Sequence, residues 1–216
     1  LITAAVLFLG ACGDDSGTGS DEQSPTWVLI LGGDGSDRAR AVLTTSDGSY
    51  LVAGSSQDTA GADADVYLAQ VDRRGRRVWE RTFGGARDDE AYALTSALGA
   101  GYLVAGSTNS NGPSDAYLIR IDGVGDAIWE RTAGGEDADW ATDLALAPDG
   151  SFFICGQSNS LVASPAGGYD LFVARFDALG NETWFRKFNA IVGEGDACAL
   201  APASDSGVVF AYPVED

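Results

Sequence analysis

Four tryptophans, Trp27, Trp79, Trp129 and Trp184, follow one another at intervals of 52, 50 and 55 residues, each inside the same surroundings. A period of that length restricts the chain to an array of similar units, each burying its apolar surface against the next. The unit reads residue by residue. Ahead of the last three tryptophans stand Asp-x-Tyr/Phe, an alternating apolar run and Asp-x-x-Gly-x-x-x-Trp, from Asp65 to Trp79, Asp115 to Trp129 and Asp170 to Trp184. Behind the first three come Gly-Gly (Gly32-Gly33, Gly84-Gly85, Gly134-Gly135) and an Asp ten residues past the tryptophan, at Asp37, Asp89 and Asp139. A Tyr-Leu-Val-Ala-Gly segment at 50–54 and 102–106, and its copy Phe-Phe-Ile-Cys-Gly at 152–156, complete it.

Each unit holds four strand-like runs, which in the second read 79–83, 91–96, 102–107 and 116–121. Within the last of these Tyr117, Ile119 and Ile121 alternate with Leu118, Arg120 and Asp122, the period of a strand with two distinct faces. Ser46-Asp47-Gly48-Ser49 and Pro148-Asp149-Gly150-Ser151 carry the Asp-Gly pair of tight hairpins. Four short antiparallel strands per period of about fifty residues describe a propeller blade. The expected fold is therefore an all-β β-propeller, with blades at 27–78, 79–128 and 129–183 and most of a fourth at 184–216. The fourth unit stops before an Asp-x-Tyr strand, so the chain reads as a fragment of a larger ring. Asp37, Asp89 and Asp139 are expected to accept hydrogen bonds from backbone amides at a turn.

The Asp-x-x-Gly-x-x-x-Trp segment resembles the tryptophan-docking motif of quinoprotein-type propellers, which also runs from an Asp through a Gly to a Trp. Asp72-Arg-Arg-Gly75, Asp122-Gly-Val-Gly125 and Asp177-Ala-Leu-Gly180 are one residue shorter than that pattern. The chain is more similar, over about residues 27–212, to the Gly-Gly/Asp-x-Tyr β-propeller repeats of bacterial and archaeal surface proteins, a likeness that implies a fold. On either resemblance the tryptophans are structural, each indole lying over the neighbouring blade.

Residues 1–9 are apolar and run into Leu9-Gly10-Ala11-Cys12, which resembles the bacterial lipobox. The resemblance implies cleavage before Cys12, lipidation of its thiol with a palmitate-type chain, and a lipid-anchored protein of the cell envelope, at the outer membrane or cell surface rather than the inner membrane. The apolar run is too short for a membrane-spanning helix. Residues 13–26, rich in Gly, Ser and Asp, read as a disordered tether.

Acidic residues number 32 against 13 basic ones, for a net charge of −19, which excludes nucleic acid as a partner and leaves membrane attachment to the anchor. Most of this acid reads as solvated turn residues. Two Gly-containing loops, 33–37 and 58–65, set carboxylates at alternate positions, making Asp34, Asp37, Asp63 and Asp65 candidate calcium ligands. The sequence contains no His, so His-dependent triads and His-based metal sites are excluded within these residues. No catalytic set stands out, and no organic cofactor is expected. Cys155 and Cys198 are expected as buried thiols, in an exported domain that could oxidise them. The functional expectation is a non-enzymatic binding or scaffold module for an envelope protein or glycan. The alternative is part of a propeller enzyme, quinoprotein-like or carbohydrate-active, with active residues largely outside this fragment.

Overall fold

The computed structural model describes residues 27–59, 61–110, 112–136, 138–159, 169–192 and 198–212, with no side-chain account at 189–192. Cys12, the tether at 13–26 and most of the 158–168 loop lie outside the described residues.

All described secondary structure is β. The strands are β1 (Asp37–Thr44), β2 (Tyr50–Ser56), β3 (Asp65–Val71), β4 (Arg77–Phe83), β5 (Asp89–Ser96), β6 (Tyr102–Thr108), β7 (Asp115–Ile121), β8 (Ala127–Ala133), β9 (Asp139–Leu146), β10 (Phe152–Ser158), β11 (Tyr169–Phe176), β12 (Glu182–Val192), β13 (Ala199–Pro202) and β14 (Val208–Ala211). They form three antiparallel four-stranded meanders, β1 to β4, β5 to β8 and β9 to β12, and a two-stranded sheet of β13 and β14.

The strands fall where the apolar runs placed them, but the sheets are cut one strand later than the expected units. Trp79 lies in β4, opposite Gln70 of β3, so it closes the first sheet instead of opening the second. The reason lies in the turns. Asp72-x-x-Gly75 is a tight hairpin, with the Asp72 amide donating to the Arg76 carbonyl and the Gly75 amide to the Asp72 carbonyl, and a tight hairpin joins hydrogen-bonded neighbours. At Gly84-Gly85 the chain leaves one sheet for the next.

Strand alternation buries both faces of a sheet. In β6, Leu103 and Ala105 join Phe152, Ile154 and Phe172 of the third sheet, while Val104 between them joins Leu51, Ala53 and Leu68 of the first. The outer face of the first sheet, at Val52, Ala69 and Val71, is covered by the segment from Trp27 to Leu31. The outer face of the third sheet packs on β13 and β14 through Cys155, Val173, Leu200 and Phe210.

Cys155 and Cys198, expected as separate thiols, are joined in a disulfide with 6.2 Å between their Cα atoms. Sequence could not show that the central strand of one sheet faces the entry to the next sheet's first strand. Bridging residues 43 apart restricts the unfolded chain by an entropy worth about 4 kcal/mol.

The sheets are arranged as a fan. The first strands pack in succession, β1 on β5, β5 on β9 and β9 on β13, while no comparable packing joins β4 to β8 or β8 to β12.

Candidate functional site

Two motifs of the repeat build the junctions between sheets. The first is the Asp-x-x-Gly hairpin. Asp72 Oδ1 accepts the amides of Arg74 and Arg76, Asp122 Oδ1 those of Val124 and Asp126, and Asp177 Oδ1 those of Leu179 and Asn181, all at 2.9 Å. The glycines that follow have φ of 76°, 88° and 81°, where a side chain would be strained. Each also receives an indole from the preceding unit: Trp27 lies on Gly75, Trp79 on Gly125 and Trp129 on Gly180, with the ring where a β-carbon would stand. Trp27 Nε1 donates to the Arg73 carbonyl at 3.2 Å. Arg81 lies 5.9 Å from the centre of the Trp79 ring and forms an ion pair with Asp126 at 3.1 Å, clamping the same hairpin. Trp184 packs beside Phe153, 5.8 Å between ring centres, in the core shared with β14.

The second motif is the Gly-Gly step. Asp37 Oδ2 accepts the Gly33 amide at 3.0 Å, Asp89 Oδ2 the Gly85 amide at 2.8 Å, and Asp139 Oδ2 the Gly135 amide at 2.7 Å. Ser56 Oγ donates to Asp37 at 2.5 Å, and Ser110 Oγ to Asp89 at 3.0 Å. These aspartates hold the crossover loops down on their own sheets. Strand register sets them in rows: Asp37, Ser56 and Asp65 lie side by side across the first sheet, Asp89, Thr108 and Asp115 across the second, and Asp139, Ser158 and Asp170 across the third. At the Gly84 crossover Asp65 meets Asp89, and at Gly134 Asp115 meets Asp139. Burial, followed by the neighbouring carboxylates Asp89, Asp58 and Asp63, pushes the Asp65 proton affinity up; burial and then Asp139 do the same at Asp115.

Of the calcium candidates, Asp34 and Asp63 are exposed, and Asp37 and Asp65 stand on either side of Ser56. Among the described residues no group of three or more His, Cys, Asp or Glu side chains is gathered as a metal-binding set.

The first strands carry side chains that the repeat left unnoticed. Each is interrupted by a bulge that leaves Arg40, Tyr92 or Thr142 without a partner across the ladder, and the neighbours Arg38, Glu90 and Trp140 share that edge. Glu90 bridges from the second sheet to Arg38 at 2.9 Å and Arg40 at 3.4 Å of the first, and Arg40 lies 5.3 Å from the centre of the Tyr92 ring. Between the second and third sheets Glu90, Tyr92, Asn109, Ser114 and Trp140 line an open cleft of about 250 Å³. A larger one, about 520 Å³, runs along Gly84, Gly85, Ser110, Tyr117 and Glu130. There the Tyr117 hydroxyl donates to Glu130, as Tyr67 does to Glu80 at 2.7 Å in the first sheet. In the third sheet both partners change together: Phe172 and Phe185 stack with 5.0 Å between ring centres. One sequence signal pointed to the first-strand surface, because Trp140 is the fifth tryptophan and falls outside the repeat. No protein-family model matches the chain, and no curated protein matches it.

Proposed function

We propose that the chain is a lipid-anchored β-propeller of the bacterial cell envelope, acting as a non-enzymatic binding or scaffold module for an envelope protein or a glycan. Support for the propeller comes from the fan: first strands gathered and fourth strands apart is the packing of blades about an axis. Support for the anchor comes from Leu9-Gly10-Ala11-Cys12 and the Gly/Ser/Asp tract behind it. An outer-membrane or cell-surface location fits an exported, disulfide-bonded domain.

The observation that carries the binding reading is a contrast between constant and variable positions. Positions 37, 89 and 139 are all Asp and 54, 106 and 156 are all Gly, because the junctions and bulges require them. On the same strands, positions 38, 90 and 140 are Arg, Glu and Trp, and 40, 92 and 142 are Arg, Tyr and Thr. A repeated scaffold whose accessible edge changes chemistry from copy to copy presents a recognition surface. The test is a pull-down from envelope extracts with the Tyr92→Ala/Asn109→Ala double variant, its folding verified by circular dichroism. Loss of a partner captured by the parent is expected, and an unchanged partner profile removes the first-strand surface from the function. Labelled palmitate is expected in the parent and absent from Cys12→Ser; equal labelling ends the anchor.

A further inference from the structure

At each junction between complete sheets, the third strand of the later sheet covers the earlier one. Tyr117, Ile119 and Ile121 of β7 share a core with Leu51, Ala53 and Leu68 of the first sheet, and Phe172, Ala174 and Phe176 of β11 share one with Leu103, Ala105 and Leu118 of the second. The hairpin that follows then brings Gly125 or Gly180 under the indole of the earlier sheet, Trp79 or Trp129. Both strands run as aromatic-x-apolar-x-apolar straight into Asp-x-x-Gly, from Tyr117 to Gly125 and from Phe172 to Gly180. β3 repeats the pattern from Tyr67 to Gly75, with Gly75 under Trp27.

The third sheet presents the same face. Trp184 stands on β12 as Trp79 stands on β4 and Trp129 on β8, and Arg186 lies 5.9 Å from its ring centre, as Arg81 does at Trp79. β13 and β14 cover part of this face, but with a difference in pairing. β2, β6 and β10 are each hydrogen-bonded on both edges, whereas among the described residues β14 pairs with β13 alone. β14 is accordingly half-buried or exposed along its length, where the other second strands are almost wholly buried. Beside it Phe153, Val173, Trp184, Phe188, Val208 and Phe210 line an open, largely apolar cleft of about 370 Å³, and no described glycine lies under the Trp184 ring. A strand edge next to an apolar cleft is a template for a further strand.

We propose that β14 and the Trp184 cleft form a docking site for a partner segment of the repeat's own chemistry, an extended aromatic-x-apolar-x-apolar strand running into an Asp-x-x-Gly hairpin. The strand pairs with the open edge of β14 and sets its alternate side chains into the cleft, as Phe172, Ala174 and Phe176 sit on the second sheet. Its hairpin glycine lies under Trp184, and an acid four residues past the hairpin Asp meets Arg186, as Asp126 meets Arg81 at 3.1 Å. A second copy of the chain is a poor donor, because its own three hairpin glycines are already covered by Trp27, Trp79 and Trp129. Main-chain hydrogen bonds supply affinity in such strand addition, and the glycine and the alternate side chains supply selectivity.

The probe is a fluorescein-labelled peptide of residues 115–126, titrated with the full chain and followed by fluorescence anisotropy. Saturable binding is expected. Gly125→Val in the peptide should weaken it by about 10-fold or more, because Gly125 takes a left-handed φ of 88° and a side chain there would meet the indole. Trp184→Ala in the chain should weaken the parent peptide similarly, while Val78→Thr, at an exposed apolar residue of the first sheet, should leave its binding unchanged. If Trp184→Ala fails to fold, the Gly125→Val peptide decides alone, since it leaves the chain untouched. No binding of the parent peptide, binding that survives Gly125→Val or Trp184→Ala, or an equal loss with Val78→Thr overturns the site. A chain that sediments as a dimer and takes up no peptide would show that a second copy covers the cleft, which also overturns it. Tyr92 and Asn109 line a different cleft, between the second and third sheets, so the pull-down and the peptide titration can fail separately.

Discussion

Gly106 shows how a single residue follows from strand pairing. Tyr92 is the extra residue of a bulge, with Ala91 paired to Gly106 and Ala93 to Ala105, and the bulge drives the Glu90 carbonyl into the space above Gly106. A β-carbon there would overlap that oxygen, as it would at Gly54 with the Arg38 carbonyl and at Gly156 with the Trp140 carbonyl. Gly106→Ala should therefore cost about 3 kcal/mol in urea unfolding, the upper end of overpacking, since a carbonyl inside a ladder cannot move aside. Gly123→Ala, in open space, should change stability by less than about 1 kcal/mol. Equal effects of the two would show that the bulge yields. The recurrence of Tyr-Leu-Val-Ala-Gly was legible in the sequence, but the reason for its glycine was not, because the obstructing carbonyl belongs to another strand. Cys155 and Cys198 were hidden in the same way: their spacing of 43 residues says nothing about two strands facing each other across a junction.

At the scale of the elements, strand existence and turn chemistry were legible and grouping was not. The alternating runs and the Asp-Gly and Asp-x-x-Gly turns are local signals, and the strands formed where they indicated. Which turn is a hairpin and which a crossover is decided by hydrogen bonds between strands, so the sheets begin at Asp37, Asp89 and Asp139 and not at the tryptophans. The change of grouping gives the indoles a clearer part. Trp129 leaves the last strand of the second sheet and lies on Gly180 of the third, with Phe152 stacked 6.1 Å away and Arg131 5.7 Å from its ring centre. Trp129→Ala should cost about 3 kcal/mol, the lower end for large aromatics because the ring is only partly buried. Chemical denaturation measures this directly, and a midpoint within error of the parent would show that the hairpin seats itself without the indole. The cleft at Tyr92 and Trp140 was not legible as a site, since its walls come from two sheets whose distance no local pattern encodes.

At the scale of the whole molecule, opposing sets of carboxylates determine how stability responds to pH. Asp72 and Asp177 sit in hairpins that donate backbone and side-chain hydrogen bonds to them, the largest effects being the Arg76 amide and the Asn181 amide group, and their carboxyls are held below the ordinary range. Asp47 and Asp149 are lowered chiefly by the hydroxyls of Thr45 and Ser151. A carboxyl that is more acidic folded than unfolded contributes stability above about pH 4 and loses it as the pH falls through its folded value. Asp115 has the opposite sign. Burial and then Asp139 raise it, so its contribution is present at low pH and lost as the pH rises through the folded value. Falling pH also relieves the repulsion of a net charge of −19. In EGTA the melting temperature should therefore rise from pH 7 to about pH 5 and fall below about pH 4. Asp115→Asn should flatten the rise while keeping the fall. Asp72→Asn should melt below the parent at pH 7, with the gap closing as the parent's own Asp72 takes up its proton. A melting temperature that falls steadily from pH 7, alike in parent and Asp115→Asn, would show that the half-buried Asp115 at the second junction carries no penalty when ionised.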